Sequence, residues 1–138
     1  MPQYTDDDQE PLHPVVADLR RQIGMAHALL FCTPEYAGAL PGAFKNLLDW
    51  TVGGGEMDHK PVAWINTAGP AAPAGGADAH ASLRNVLGYL GAEIVEPACV
   101  SIPMARRMVR PRDLVQDDVA CARIETVLTV LLNRVRHL

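Results

Sequence analysis

The stretch "TPEYAGALPGAFKNLLDW", residues 33–50, decides the fold of this chain. It follows a short apolar run, "HALLFC" (27–32), and leaves that run through a turn that contains proline and tyrosine. An unbroken apolar run of this length is typical of a strand buried on both faces of a parallel sheet. Pro41 stands at a predicted helix start, because proline suits the first helical turn. The stretch therefore predicts a strand, a rigid turn and a helix in succession.

A helix is predicted upstream of this stretch, in "PVVADLRRQIGMA" (14–26). Pro14 fits its first turn and Gly24 its end. Val15, Leu19 and Ile23 recur at helical spacing, which predicts that they form the buried face.

The alternation of strand and helix continues downstream. "PVAWINTA" (61–68) is a second strand of the buried type, and it runs into a loop of Gly, Pro and Ala. Asp78 is the predicted N-cap of the next helix, which ends at Gly91. The third strand, "EIVEPACVSI" (93–102), is interrupted by Pro97, which favours the edge of a sheet. A last helix is predicted over residues 116–136.

This order predicts a single α/β domain, residues 1–138, in which a parallel sheet lies between two layers of helices. Ligands of such sheets bind beyond the carboxyl ends of the strands. Those ends carry "TPEYAG" (33–38) and "NTAGPAAPAGG" (66–76). Both segments are rich in Gly, Pro and Ala, so we expect a flat ligand with apolar edges to suit them.

Composition narrows the functional classes. The 138 residues are 49% hydrophobic and 20% charged, with a net charge of −4, which argues against nucleic-acid binding. No apolar stretch approaches the roughly 18 residues that span a membrane, and no signal peptide is visible. The three cysteines are widely spaced and the five histidines lack metal-ligand spacing, which predicts neither disulfides nor a metal site. These observations together predict a cytoplasmic protein.

The residues of the opening stretch resemble a family motif, T-P-E-Y-N-x-S-x-P-G-x-L-K-N-x-x-D-W. The motif is that of the NADPH-dependent FMN reductase family, flavodoxin-like proteins that include quinone and chromate reductases. The matching residues are Thr33, Pro34, Glu35, Tyr36, Pro41, Gly42, Lys45, Asn46, Asp49 and Trp50. Two positions depart from the motif, since Ala37 stands for its Asn and Ala39 for its Ser. The loss of one polar contact with a flavin would cost on the order of 1 kcal/mol.

The resemblance implies a flavodoxin-like fold and an enzyme that passes hydride from NADPH or NADH through FMN to a quinone or similar acceptor. It implies no catalytic side chain, because the flavin carries the chemistry. It also implies a homodimer or homotetramer. The residues that it places at the cofactor are Thr33, Pro34, Glu35, Tyr36, Ala37, Thr67, Ala68, Gly69 and Gly76. Without the resemblance, Pro34, Glu35 and Tyr36 would be interpreted as a rigid turn with a core aromatic, and the residues after the second strand as a flexible surface loop.

Family members begin with a strand and a G-S-x-R-x-x-S loop that holds the FMN phosphate at a helix N-terminus. This chain contains no such loop, so the resemblance predicts a sheet without its first βαβ unit. The "HALLFC" strand would then have an open edge, because the missing strand is central in a flavodoxin-like sheet. The alternative hypothesis is a non-catalytic flavodoxin-like remnant that acts only through oligomer assembly.

Other reactive or charged residues are predicted to be structural. Cys32 lacks the flanking glycines of a nucleophile elbow and is predicted to be a buried thiol. Four arginines near residue 110 form a basic connection, interpreted as a solvated loop or as a contact for the 2′-phosphate of NADPH. They are Arg106, Arg107, Arg110 and Arg112.

Overall fold

The computed structural model describes residues 1–5, 11–69, 75–105, 108–110 and 114–137. The described helices are α1 (Pro14–Met25), α2 (Gly42–Asp49), α3 (Ala77–Tyr89) and α4 (Asp118–Arg136). The described strands are β1 (Leu29–Thr33), β2 (Pro61–Asn66), β3 (Glu93–Ile94), β4 (Val100–Ser101), β5 (Val109–Arg110) and β6 (Leu114–Val115).

Strand β2 is the centre of a parallel sheet. It pairs with β1 along its length, from Leu29 opposite Val62 to Thr33 opposite Asn66. On its other side it pairs with β3 and then β4, which are separated by a 3₁₀ helix that contains Pro97. The predicted interruption of the third strand is therefore confirmed, and among the described residues this strand lies at an edge of the sheet. Among the described residues β1 has a partner strand on one side only.

The alternating side chains of β2 divide the molecule into three layers. Val62 and Trp64 face one core, which they share with α1, α2 and α3. Ala63 and Ile65 face the second core, which is closed by α4. All six residues of β2 are buried, as its unbroken apolar run predicts. The predicted helix–sheet–helix architecture is confirmed.

One predicted helix face differs in the structure. Helix α1 runs through Gly24 to Met25, and it buries Val16 while Val15 is 52% exposed. The two valines are adjacent, so spacing to Leu19 and Ile23 fits either one, and in the folded helix Val16 is the buried one. In α4, Ala120, Val127 and Leu131 form the buried face, while Val119 is exposed.

The cysteines show how position in the sheet controls burial. Cys32 is exposed, so its predicted burial is wrong. It lies on β1, whose outer side has no neighbouring strand among the described residues. All three cysteines are free thiols. Burial raises the pKa of the Cys99 thiol to about 11, so this thiol stays protonated at neutral pH.

The connection before α4 contains structure that the sequence reading missed. Strands β5 and β6 pair antiparallel, with Val109 opposite Val115. Arg106, Arg107 and Arg112 lie outside the described residues. Their contact with the 2′-phosphate of NADPH therefore stays a prediction. No helix in the described part of the chain is long and apolar enough to cross a membrane.

Candidate functional site

The candidate site is the edge of the sheet where β1 and β2 end. Thr33 and Asn66 are the last residues of these strands and lie opposite each other. The parallel pairing continues one step further, since the N–H of Thr67 donates to the carbonyl of Thr33 at 2.9 Å. The two segments singled out from the sequence thus leave the sheet side by side.

The turn after β1 is a tight reversal from Tyr36 to Ala39. The N–H of each residue donates to the carbonyl of the other, both at 3.0 Å. The two central residues, Ala37 and Gly38, have φ of +50° and +70°. Positive φ at both positions is the conformation of a type I′ turn, which Asn-Gly adopts most readily. The asparagine of the family motif would therefore favour the backbone conformation at position 37, in addition to any polar contact that it makes with a ligand.

The tyrosine of this turn is presented to the outside. Tyr36 is 63% exposed, and Ala37 beside it is also exposed. The interpretation of Tyr36 as a core aromatic is wrong, because the reversal points its ring away from both cores. A large exposed aromatic on a rigid turn is a suitable platform for a flat ligand.

Glu35 connects the two segments of the site. Its Oε2 accepts a hydrogen bond from the backbone N–H of Ala79, in the first turn of α3, at 3.1 Å. Helix α3 has Gly76 as its N-cap, and Gly76 has no side chain to offer a capping bond. The prediction that Asp78 caps α3 is wrong, since Asp78 lies inside the helix. The carboxylate of Glu35 supplies the cap from the neighbouring loop instead.

The loop between β2 and α3 is held at both of its described ends by one side chain. Asn66 is fully buried, and its Oδ1 accepts from the N–H of Ala68 at 2.9 Å. Its Nδ2 donates to the carbonyl of Gly76 at 2.8 Å. Gly76 has φ of +92°, and a Cβ at this position would lie 2.4 Å from Asn66 Nδ2. The glycine is thus required both by its backbone conformation and by the closeness of the asparagine.

A second polar cluster lies one turn further along α3. The indole N–H of Trp64 donates to Nδ1 of His80 at 3.0 Å, and Nε2 of His80 has no partner among the described residues. Arg84 lies over the Trp64 ring and forms two hydrogen bonds to Glu96. Burial and then the charge of Arg84 lower the pKa of His80, which favours the neutral imidazole.

A cavity of about 300 Å³ opens between this cluster and the loop that follows β2. Its lining combines the amino-terminal end of α3 with polar side chains of α3 and β4. The lining residues are Gly75, Gly76, Ala77, His80, Arg84 and Ser101. In the described residues, no group of three or more metal-ligating side chains is suited to hold a metal ion.

Two further motif residues hold the amino-terminal segment. Asn46 accepts from the N–H of Tyr4 at 2.7 Å and donates to the carbonyl of Pro2 at 2.9 Å. The indole N–H of Trp50 also donates to the carbonyl of Pro2, and its ring meets that of Tyr4 edge to face.

Lys45 forms an ion pair with Asp49 one helical turn further on, as their spacing predicts. This part of the motif is therefore structural in the described chain.

The structure places the two segments that carry the nine predicted cofactor residues beside each other, through the bond between Thr67 and Thr33, but it gives these residues different tasks. Thr33 and Ala68 are buried, Gly76 is buried against Asn66, and Glu35 caps a helix. Sequence reasoning missed Asn66. The available signal was a polar side chain at the end of an otherwise apolar strand, because a buried amide there must find partners.

Comparisons with known proteins identify the family of this chain. The family profile of NADPH-dependent FMN reductases matches residues 1–107. An NAD(P)H-dependent FMN reductase of Pseudomonas aeruginosa is 34% identical over 127 residues, which cover 91% of this chain and 68% of that protein. A 2-hydroxy-1,4-benzoquinone reductase of Burkholderia sp is 38% identical over 93 residues, which cover 65% of this chain and 50% of that protein.

Among solved structures, the flavoenzyme NAD(P)H:(acceptor) oxidoreductase FerB from Paracoccus denitrificans superposes with a TM-score of 0.76 at 27% identity, covering 95% of this chain and 73% of FerB. An oxidoreductase from Corynebacterium diphtheriae shares the fold, with a TM-score of 0.68 at 19% identity, covering 92% of this chain and 65% of that one. The chain spans about half the length of the Burkholderia reductase and of a matched NADPH azoreductase from a Bacillus strain. With a family profile that matches most of its length, the chain belongs to the NADPH-dependent FMN reductase family.

Proposed function

We propose that the chain acts as an NAD(P)H-dependent flavin oxidoreductase, and that the carboxyl ends of β1 and β2 hold FMN. The observation that carries the proposal is that two hydrogen bonds join the segments that follow β1 and β2 at this edge. Glu35 accepts from the N–H of Ala79 in α3, and the N–H of Thr67 donates to the carbonyl of Thr33. Family membership supplies the identity of the cofactor. The acceptor would be a quinone or a similar small molecule, as the benzoquinone reductase relative suggests.

The residues present fit a flavin ring. Among the described residues, no hydrogen bond uses the backbone N–H or C=O of Glu35, so both are available to the polar edge of a ring. Tyr36 offers an exposed aromatic face beside them, and the loop after β2 brings backbone close through Gly69 and Gly76. A planar ligand with one polar edge would meet backbone groups along that edge and small residues across its face.

Bound FMN would accept a hydride from NADPH or NADH and pass two electrons to the acceptor, which takes up protons. The part of this chain is to bind and orient. The turn at residues 36–39 fixes the backbone that carries Tyr36, and the bond from Glu35 to Ala79 links the segment before that turn to α3. The 300 Å³ cavity next to Gly76 offers space for a second small molecule beside the ring. A cytoplasmic homodimer or homotetramer completes the proposal.

The test is a titration of the purified chain with FMN, in which binding is monitored by flavin fluorescence. NADPH oxidation is then measured in the presence of 2-hydroxy-1,4-benzoquinone. We expect saturable binding that Tyr36→Ala weakens about two- to twelvefold, since an aromatic contact contributes about 0.5–1.5 kcal/mol. Tyr89→Ala is the matched control. Tyr89 is 89% exposed and is the last residue of α3, at the opposite end of that helix from Gly76. Gly91, two residues further on, accepts a hydrogen bond from His59 in the loop that precedes β2.

Failure of the wild-type chain to take up FMN would contradict the proposal and favour the non-catalytic hypothesis. Equal effects of Tyr36→Ala and Tyr89→Ala would contradict the placement of the flavin at the turn, even if FMN binds.

A further inference from the structure

Asn66 occupies an unusual place for a polar residue. It is 0% exposed, at the end of a strand whose other residues are all apolar. A buried amide costs free energy unless its donors and acceptor are satisfied, so its retention at this position needs a reason. Its backbone belongs to the sheet, where its carbonyl accepts from the N–H of Ile102 at 2.8 Å. Its side chain, in contrast, is used entirely outside the sheet.

The side-chain bonds of Asn66 act on the loop that would lie against the flavin. One bond fixes Ala68, two residues after the strand, and the other fixes Gly76, the N-cap of α3. The two anchor points are the two described ends of one loop. Asn66 therefore sets the distance between the point where the loop leaves the sheet and the point where it enters the helix.

We propose that Asn66 is the positioning residue of the flavin site, and that it sets FMN affinity by holding Ala68 and Gly76 without itself touching the cofactor. The inference rests on the proposed function. Its chemical basis is preorganisation, because a loop that is already held in its binding shape loses less conformational entropy when the ligand binds. Gly76 is the partner of this arrangement, since its missing Cβ leaves the space that Asn66 Nδ2 occupies.

The test compares FMN affinity and the visible circular dichroism of bound FMN in single and double variants. Asn66→Ala removes both anchors, and we expect FMN to bind about tenfold more weakly. Gly76→Ala places a methyl group against Asn66 Nδ2, and we expect a similar loss. In the double variant the collision between the new methyl group and Asn66 Nδ2 is gone, while the positive φ at position 76 remains. The fold-loss of FMN affinity should therefore be smaller than the product of the fold-losses in the two single variants.

Glu56→Ala is the control for general destabilisation. Glu56 pairs with Arg20 at 2.6 Å, with both side chains mostly buried, in the loop that precedes β2 and thus at the opposite edge of the sheet. Removal of Glu56 leaves a charged group without its partner, so the variant should be less stable. We expect it to bind FMN like the wild type, at a temperature where all variants are folded.

The outcomes are distinguishable. Weak FMN binding by Asn66→Ala with an altered circular dichroism of the bound flavin, but normal binding by Glu56→Ala, supports the inference. Wild-type affinity in Asn66→Ala overturns the inference and leaves the proposed function standing. Equal losses in Asn66→Ala and Glu56→Ala also overturn it, because a loss of general stability would then account for both. A wild-type chain that binds no FMN overturns the proposed function and the inference together.

Discussion

The carboxylate of Glu35 caps helix α3 from a different element, with 3.1 Å between its Oε2 and the backbone nitrogen of Ala79. The N-cap position itself is held by Gly76, whose φ of +92° suits the entry of the chain but provides no acceptor. The cap thus joins the loop after β1 to the helix after β2. Fold stability and site geometry depend on the same bond.

Loss of this cap should lower the free energy of unfolding. We expect Glu35→Ala to cost about 1 kcal/mol, the usual value for removal of an N-cap acceptor. Glu35→Gln retains an acceptor oxygen and should lose less, mainly the interaction of the negative charge with the helix dipole. Urea unfolding measures both. Equal stability of Glu35→Ala and the wild type would show that the bond contributes nothing.

Because Ala37 has a positive φ, a substitution at this position should raise the free energy of unfolding. The left-handed conformation costs an L-residue other than Gly, Asn or Asp about 1–2 kcal/mol. We expect Ala37→Asn to raise the free energy of unfolding by about 0.5–1 kcal/mol, because asparagine adopts this conformation more readily. Ala39→Asn is the control in the same turn, since Ala39 has no positive φ, and urea unfolding should show no gain. A gain of equal size at Ala39 would contradict the explanation.

Much of the fold could be predicted because its signals are local. The apolar run of β2 predicts burial on both faces, and Pro97 predicts the interruption between β3 and β4. Predictions failed where a neighbour in space decides the outcome. Val15 and Val16 are equivalent in spacing, and only the folded chain shows that Val16 is the buried one. Cys32 is exposed because β1 is an edge strand in the described chain, which its own apolar run does not reveal.

The candidate site shows the same limit. The motif predicts which residues gather at the sheet edge, but it does not separate those that present backbone to a ligand from those that hold the structure. Asp78 has the residue type and spacing of a cap, yet Glu35 performs that task across a sequence separation of 44 residues. Asn66 lies outside the motif, and its two bonds appear only when the loop is folded back on the strand.

Asn46 should control the attachment of the amino-terminal segment. Its side chain accepts from the N–H of Tyr4 and donates to the carbonyl of Pro2. We expect Asn46→Ala to speed hydrogen exchange at the Tyr4 amide about tenfold or more, with a loss of stability of about 1 kcal/mol. Asn85→Ala, on α3, is the control. Unchanged exchange at Tyr4 would show that Asn46 is not what holds this segment.

The hydrogen bond from Trp64 to His80 requires a neutral imidazole. Nδ1 accepts the indole N–H, so the proton of the neutral ring lies on Nε2, and a second proton on Nδ1 would break the bond. Burial and Arg84 lower the pKa of His80, and they outweigh Glu96 and Glu35, which raise it. The unfolded chain, with an ordinary histidine pKa of about 6.5, therefore binds this proton more readily than the folded chain.

The free energy of unfolding should therefore fall as the pH drops from about 7 to about 5.5, and His80→Leu should flatten this part of the profile. The lowered carboxyl pKa values of Asp18 and Glu96 act at more acidic pH, below the ordinary value of those groups, so they do not obscure the effect. Urea unfolding at a series of pH values provides the measurement. His59→Asn removes a fully exposed imidazole and keeps a residue that tolerates positive φ, so its profile should match the wild type. A wild-type slope that survives in His80→Leu would assign the pH dependence to another group.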